Sequence, residues 1–342
     1  MSADRIDPKL GLAGVLFLAT AFYLGTLVSS GPQPAATTPP ATTHGGAAAK
    51  KLAEAAAAPA PSVAAVDARP VFVPLPMDKV PEDEFGKMAR LGEAIFHDTR
   101  ANAGAFVGND LQCRNCHLDD GRHANSAPLW AAYLVYPAYR KKDHEVNTFQ
   151  SRMQGCFRYS MNGKAPELGD KVLVALEAYA YAMAKGGPTG VAVAGQGYPR
   201  LAEPATLDAA HGKAVFAEKC AVCHGADGAG QNDASGQTTF PPLWGARSYN
   251  WGAGMASISN AAAFVKANMP LSQAGSLSDK DAWDVAAFID SQERPQDPRF
   301  NGSVAETRKA FHDSKMDMYG QTVDGVTLGQ NAPPSGATPK QQ

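Results

Sequence analysis

Charge is what this chain lacks first. The formal net charge is −2 over 342 residues, so there is no basic surplus of the kind a nucleic-acid binder spreads over one face. An anionic substrate would need a local cluster of bases. From Leu10 to Ser30 charge is missing altogether. About 20 apolar residues cross a bilayer, whereas a cleaved signal peptide has a shorter apolar core of about 7 to 15 residues and a small-x-small cut site. Val28-Ser-Ser30 is a poor cut site, so the run reads as a retained N-terminal transmembrane helix, with a cleaved leader as the alternative. Arg5 and Lys9 precede it and the next base is Lys50, which puts the N-terminus in the cytoplasm and the bulk of the chain outside. The following stretch, residues 31–76, lacks large apolar side chains almost entirely before Val71 and is dominated by Ala, Pro and Thr. Such a segment cannot bury enough surface to offset its ordering entropy, and a disordered tether is expected.

Cysteine is scarce as well, and its five copies sort themselves at once. Cys113 and Cys116 are followed by His117, and Cys220 and Cys223 by His224. Each pair spells Cys-x-x-Cys-His, the attachment signature of a c-type haem. Two thiols three apart on one turn can each meet a haem vinyl, and the next histidine can turn its imidazole onto the iron. Four thiolates around zinc are the rival reading. The trailing histidines favour two covalently bound haem c groups, as does a separation of 107 residues behind two copies of one helix. Those copies are Gly92-Glu-Ala-Ile-Phe96 and Gly212-Lys-Ala-Val-Phe216. In the first, Phe85, Met88, Leu91, Ile95 and Phe96 fall on one helical face. An insertion rich in Asn, Gly and Ala, from Asp98 to Leu111, separates it from its haem motif.

Each copy closes with a helix, Lys171 to Lys185 and Ser278 to Gln292. The small residue and Phe of each first helix, set opposite Tyr179 or Tyr181 and Phe288 of each last helix, resemble the crossing of terminal helices in class I cytochromes c. The expected fold is therefore mainly α, with two class I cytochrome c-like domains in tandem behind the anchor and tether. The boundaries fall at 1–30 for the anchor, 31–76 for the tether, 77–187 for domain 1, 188–204 for a linker and 205–298 for domain 2. A C-terminal extension, 299–342, is expected to be partly disordered, with Phe300, Phe311 and Tyr319 as its anchors on the folded body.

A haem iron needs a sixth ligand, which in these domains comes from the loop before the last helix. In domain 2, Asn268-Met269-Pro270 lies there, with Met269 45 residues after His224. It looks like the usual distal motif of class I cytochromes c, and Met255 is the rival. A Met ligand favours ferrous iron and a higher potential. In domain 1 the corresponding loop offers Met153, Cys156, Met161 and His144. A free Cys is more often a small buried hydrophobe than a ligand. Around Cys156, however, the segment 114–164 holds eight bases and four acids. That surplus of four positive charges favours a thiolate and suits a small dianion.

The motifs Cys113-Arg-Asn-Cys-His117-Leu, Pro137-Ala-Tyr-Arg140, Arg152-Met-Gln-Gly-Cys156-Phe-Arg158-Tyr-Ser160-Met-Asn-Gly163, Phe240-Pro-Pro-Leu-Trp-Gly245 and Gly252-Ala-Gly-Met255 resemble those of the di-haem thiosulfate dehydrogenases, or tetrathionate synthases. The resemblance spans about Phe85 to Arg299. It implies that His117 and the Cys156 thiolate hold haem 1, and that His224 and Met269 hold haem 2. Some members carry a lysine beside that methionine, where this chain has Asn268. Arg152 and Ser160 would contact substrate, with Arg140 and Lys164 as further basic contacts. The implied reaction joins two thiosulfates into tetrathionate, in a direction that can reverse. Two electrons would leave through haem 2 to an acceptor cytochrome, a high-potential redox protein or a terminal oxidase. The expected location is the periplasmic side of a bacterial inner membrane, held by the N-terminal helix, or soluble in the periplasm if that helix is cleaved. The competing expectation is a membrane-tethered di-haem electron carrier with no substrate chemistry.

Overall fold

The computed structural model describes residues 68–336 apart from Ser235; the expected anchor and most of the expected tether lie outside these residues. Among the described residues, no helix is long and apolar enough to cross a membrane. Helices dominate among the described residues, and the strands there form only two-stranded antiparallel ladders.

The first repeat opens with α1 (Glu84–His97), where the Asp83 carboxylate accepts the Gly86 N–H at 2.8 Å and so caps a free helix-end donor. The attachment turn is α2 (Cys113–Cys116), followed by α3 (Leu129–Tyr133). A hairpin comes next, β1 (Ala138–Arg140) against β2 (Glu145–Asn147), with Arg140 opposite Glu145. Then come α4 (Phe149–Gly155) and the closing helix α5 (Lys171–Ala184). The second repeat holds α6 (Ala209–Lys219), the attachment turn α7 (Ala221–His224), α8 (Ile258–Asn268) and the closing helix α9 (Asp279–Asp290). Ser278 and Asp281 form a capping box at the start of α9.

The repeated glycines explain the repeated fold. A Cβ on Gly92 would lie 2.0 Å from Ala175 O of α5, and one on Gly212 would lie 1.9 Å from Asp284 O of α9. Each first helix thus crosses its closing helix backbone to backbone, which only glycine permits. The aromatic partners follow: Phe96 meets Tyr179 at 5.9 Å between centroids, and Phe216 meets Phe288 at 5.5 Å. Tyr181 is not the partner; it packs on Phe85 and Tyr133 at the rim. The buried stripe of α1 is Gly86, Ala89, Gly92, Ile95 and Phe96, while Phe85 stays exposed. Close helix approach, rather than side-chain size, decides which residues of α1 lie inside.

The two repeats share an interior. One apolar cluster runs from Ile95, Trp130 and Tyr179 through Tyr159 to Tyr249 and Trp251, and on to Tyr319 and Leu328. The segment joining the repeats lies against the first one, with Val193 fully buried and the Gly195 and Gly197 carbonyls accepting from Asn125 and Ala127 N–H. Beyond α10 (Val304–Phe311) the chain returns to the body, where Gln296 N–H donates to Pro333 O and Gly336 N–H to Asn162 Oδ1.

Candidate functional site

The two attachment turns are built alike. His117 Nδ1 lies 2.7 Å from Ala127 O, and His224 Nδ1 lies 2.9 Å from Pro241 O. A carbonyl can only accept, so each Nδ1 carries the proton and each Nε2 keeps a lone pair for a metal. Burial holds both imidazoles below their ordinary pKa and hence neutral. Burial also pushes the Cys113 thiol up to about 12 and the Cys116 and Cys220 thiols up to about 11. Among the described residues no three His, Cys, Asp or Glu side chains converge to hold a metal ion. The four motif cysteines therefore do not gather into a zinc site.

The second turn faces a cavity of 440 Å³ whose walls include Cys220, Cys223, His224 and Met269 with Phe264 and Ile289. Thiols, an imidazole and a thioether bordering one apolar space suit a covalently held macrocycle. Met255 borders the same cavity, but its sulfur accepts from the Tyr198 hydroxyl at 3.6 Å. Asn268, beside Met269, is buried and its amide donates to Asn125 O and Phe264 O. Its side chain is thereby tied into the contact between the repeats.

The first turn borders the same cavity through Arg114, Asn115 and Cys116, and it also has a second neighbour. Thr148 caps α4 through the Ser151 N–H, and the helix then widens into a π turn over Cys156–Ser160. Met161 N–H reaches back five residues to Cys156 O at 2.9 Å. Single π turns inside α-helices are rare and frequent at functional sites. Arg152, one helical turn earlier, places Nη1 3.0 Å from Cys156 Sγ. A negative charge on Cys156 is felt by Cys113 and Cys116 and raises both, while the Arg152 charge helps to lower His117. Thiol, guanidinium and attachment turn thus form one electrostatic unit.

The remaining expected residues divide. Arg140 Nη1 donates to the Tyr136 hydroxyl at 2.7 Å, and Tyr136 in turn interacts with Arg152, so Arg140 joins the rim of the site. Ser160 ends the π turn, four residues past Cys156, with its carbonyl tied to Asn109 Nδ2 at 2.8 Å. Lys164 is exposed, and its placement is fixed only through its backbone N–H on Phe106 O. Met153 and Met161 are buried in the apolar cluster, and His144 stands exposed on the hairpin turn at φ 55°.

Sequence reading missed Lys142. From the β1–β2 turn its ammonium donates to Gly252 O and lies 4.0 Å from the Tyr159 ring centroid. Burial, then the Arg299 and Arg152 charges, bring its pKa down to about 8. It was one base among eight, and its partner is 110 residues away; no local pattern marks such a pairing.

Comparison with known proteins gives the same division of the chain. Residues 92–189 match the SoxA/TsdA cytochrome c domain family and residues 209–293 the cytochrome c family. Two such domains carry two covalently bound haem c groups. The chain is 56% identical over 272 residues to a thiosulfate dehydrogenase of Thiomonas intermedia, covering 79% of this chain and 86% of that one. It is 52% identical over 262 residues to a thiosulfate dehydrogenase of Stutzerimonas stutzeri, covering 76% and 85%. Its fold matches the solved thiosulfate dehydrogenase (TsdBA) of Marichromatium purpuratum, in the "as isolated" form, with a TM-score of 0.74 at 50% identity. That match covers 76% of this chain and 57% of the other. With tandem cytochrome c domains and relatives matched over most of their length, the chain belongs to the thiosulfate dehydrogenase family.

Proposed function

We propose that this protein is a di-haem thiosulfate dehydrogenase in which Cys156 is both an iron ligand and the nucleophile. The observation that carries this reading is the Arg152 guanidinium 3.0 Å from Cys156 Sγ, on a π turn beside the first attachment turn. Cys113 and Cys116 would hold haem 1 covalently, and His117 and Cys156 would bind its iron. Cys220 and Cys223 would hold haem 2, with His224 and Met269. When bound, the two haems supply two one-electron acceptors.

The protein's own groups do the rest. The Cys156 thiolate and the terminal sulfur of one thiosulfate form a sulfur–sulfur bond, giving up two electrons and leaving cysteine S-thiosulfonate. The second thiosulfate attacks the outer sulfur of that bond, releases tetrathionate and returns the thiolate, as in thiol–disulfide exchange. Arg152 and Arg140 would hold sulfonate oxygens through their planar forks and offset the repulsion between two dianions. The Ser160 hydroxyl would add a donor, and the exposed Lys164 only long-range attraction. Buried Asn268 is held by two carbonyls, so haem 2 would keep Met269 as its ligand.

Covalent haem attachment and the uncharged N-terminal run together support a site outside the cytoplasmic membrane. The two electrons would pass from haem 2 to a redox protein there. Mixing oxidised protein with thiosulfate should bleach the oxidised Soret band and raise the α band. Cys156→Gly protein that retains both haems should form no tetrathionate, and near-normal turnover in that variant would reject the role given to Cys156; failure of thiosulfate to reduce the parent protein would instead favour a simple electron carrier.

A further inference from the structure

A helical segment that widens to π geometry and then ends leaves its last carbonyls without helical donors. Within residues 156–160, two carbonyls are met locally: Cys156 O accepts from Met161 N–H and Phe157 O from Gly163 N–H, both at 2.9 Å. The other three draw donors from distant chain. Arg158 O accepts from Asn250 Nδ2 at 2.9 Å. Tyr159 O accepts from Asn250 N–H at 3.2 Å as well as from Asn162 N–H at 3.3 Å. Ser160 O accepts from Asn109 Nδ2 at 2.8 Å. Asn250 belongs to the second repeat, and Asn109 to the insertion ahead of the first attachment turn.

Both side chains are fully buried, and every polar atom of each is used. Asn250 Nδ2 also donates to Asn162 Oδ1 at 3.0 Å, and its Oδ1 accepts the Gly252 N–H at 3.0 Å. Asn109 Nδ2 also reaches Ser248 O at 3.1 Å, and its Oδ1 accepts the Leu111 N–H at 3.2 Å. A primary amide is the neutral side chain that offers two donors on one atom and an acceptor beside it. A buried carbonyl left without its donor is costly, so these amides select one geometry of the turn.

We infer that Asn250 and Asn109 are positioning residues for Cys156, holding the π turn open and so fixing where its sulfur stands against the first haem site. The inference rests on Cys156 being the iron ligand. Without the amides, Arg158 O and Ser160 O lose their donors, and N–H groups of their own segment compete to replace them. The turn then slips toward α register, and each residue of slip rotates a side chain by about 100°. The chemistry of the first domain is thereby set in part by the second, and the Asp98–Leu111 insertion acquires a purpose.

The test is low-temperature EPR of the full-length, oxidised di-haem protein, with Gln296→Ala as a matched control. Gln296 is another buried amide, bonded to Gly329 O at 2.7 Å and to the Tyr319 hydroxyl, with no bond to the π turn. Asn250→Ala is expected to split or lose the thiolate-type low-spin ferric signal, leave the second haem's signal in place, and lower turnover about tenfold. Gln296→Ala should lose thermal stability yet keep that signal and its turnover. Should Asn250→Ala fail to assemble with both haems, Asn109→Ala, which frees Ser160 O, Ser248 O and the Leu111 N–H, is expected to give a smaller fraction of altered signal. An assembled Asn250→Ala protein, or in its place Asn109→Ala, that matches Gln296→Ala in signal and turnover overturns the inference. A parent protein with no thiolate-type signal overturns the ligand reading beneath it.

Discussion

The two haem domains of this chain differ far less in their frames than in one loop each. Both cross a glycine of the first helix over the closing helix, and both fix the motif histidine through Nδ1–H on a backbone carbonyl. What differs is the stretch before the closing helix. Domain 2 offers the thioether of Met269 to an apolar cavity. Domain 1 offers a thiol with a guanidinium against it, on a turn whose carbonyls are bonded from other parts of the chain. On the proposed ligand assignment, one scaffold would serve electron transfer or sulfur chemistry according to whether a thioether or a thiol is offered from that stretch.

Making the first site like the second is the harshest test of that contrast. Cys156→Met should keep the haem but give a Met-type spectrum and a raised haem 1 potential, with tetrathionate formation down by at least ~10³-fold. Spectroelectrochemistry and a tetrathionate assay would read both. Arg152→Lys keeps the charge and loses the fork; turnover should fall by roughly 10²-fold, chiefly in kcat/KM, while the haem 1 spectrum stays thiolate-like. On the second side, Met269→His should lower the haem 2 potential by on the order of 0.1 V or more. Thiosulfate should still react at the first site, and a stopped-flow trace would show the two haems filling in altered order.

The shared frame should respond equally in both halves. Gly92→Ala and Gly212→Ala each force a methyl into backbone, and each should cost roughly 3 kcal/mol of stability in thermal or denaturant unfolding. A large difference between them would mean that the helix crossings are not equivalent. The smallest effect belongs to Lys142. Its pKa is brought down to about 8, so the ammonium is present below that pH and lost above it. The KM for thiosulfate should therefore rise about two- to fivefold as pH climbs through that value, and the rise should vanish in Lys142→Met.

Much of this was legible in the sequence because the chemistry is local. The attachment motifs are five residues long, the crossing glycine and its phenylalanine lie four apart, and Arg152 precedes Cys156 by one helical turn. The expectation of Cys156 over Met153 and Met161 rests on a basic cluster weighed against apolar neighbours; in the structure Arg152 lies against Cys156, and Met153 and Met161 are buried in the apolar cluster. The residues that complete the site were not legible. Lys142 meets Gly252, Asn250 meets Arg158 and Asn109 meets Ser160, across 110, 92 and 51 residues. The periodic face read for α1 holds for Ile95 and Phe96, whereas Phe85 is exposed and Ala89 and Gly92 are buried beside them.

The π turn constrains how this sequence can change length. Because each of its carbonyls has an assigned donor, a substitution between Thr148 and Gly163 disturbs one bond, whereas an insertion or deletion shifts every pairing beyond it. Length differences among functional relatives should accordingly collect outside that stretch, and an alignment column gapped within it would mark a chain that has given up the thiolate.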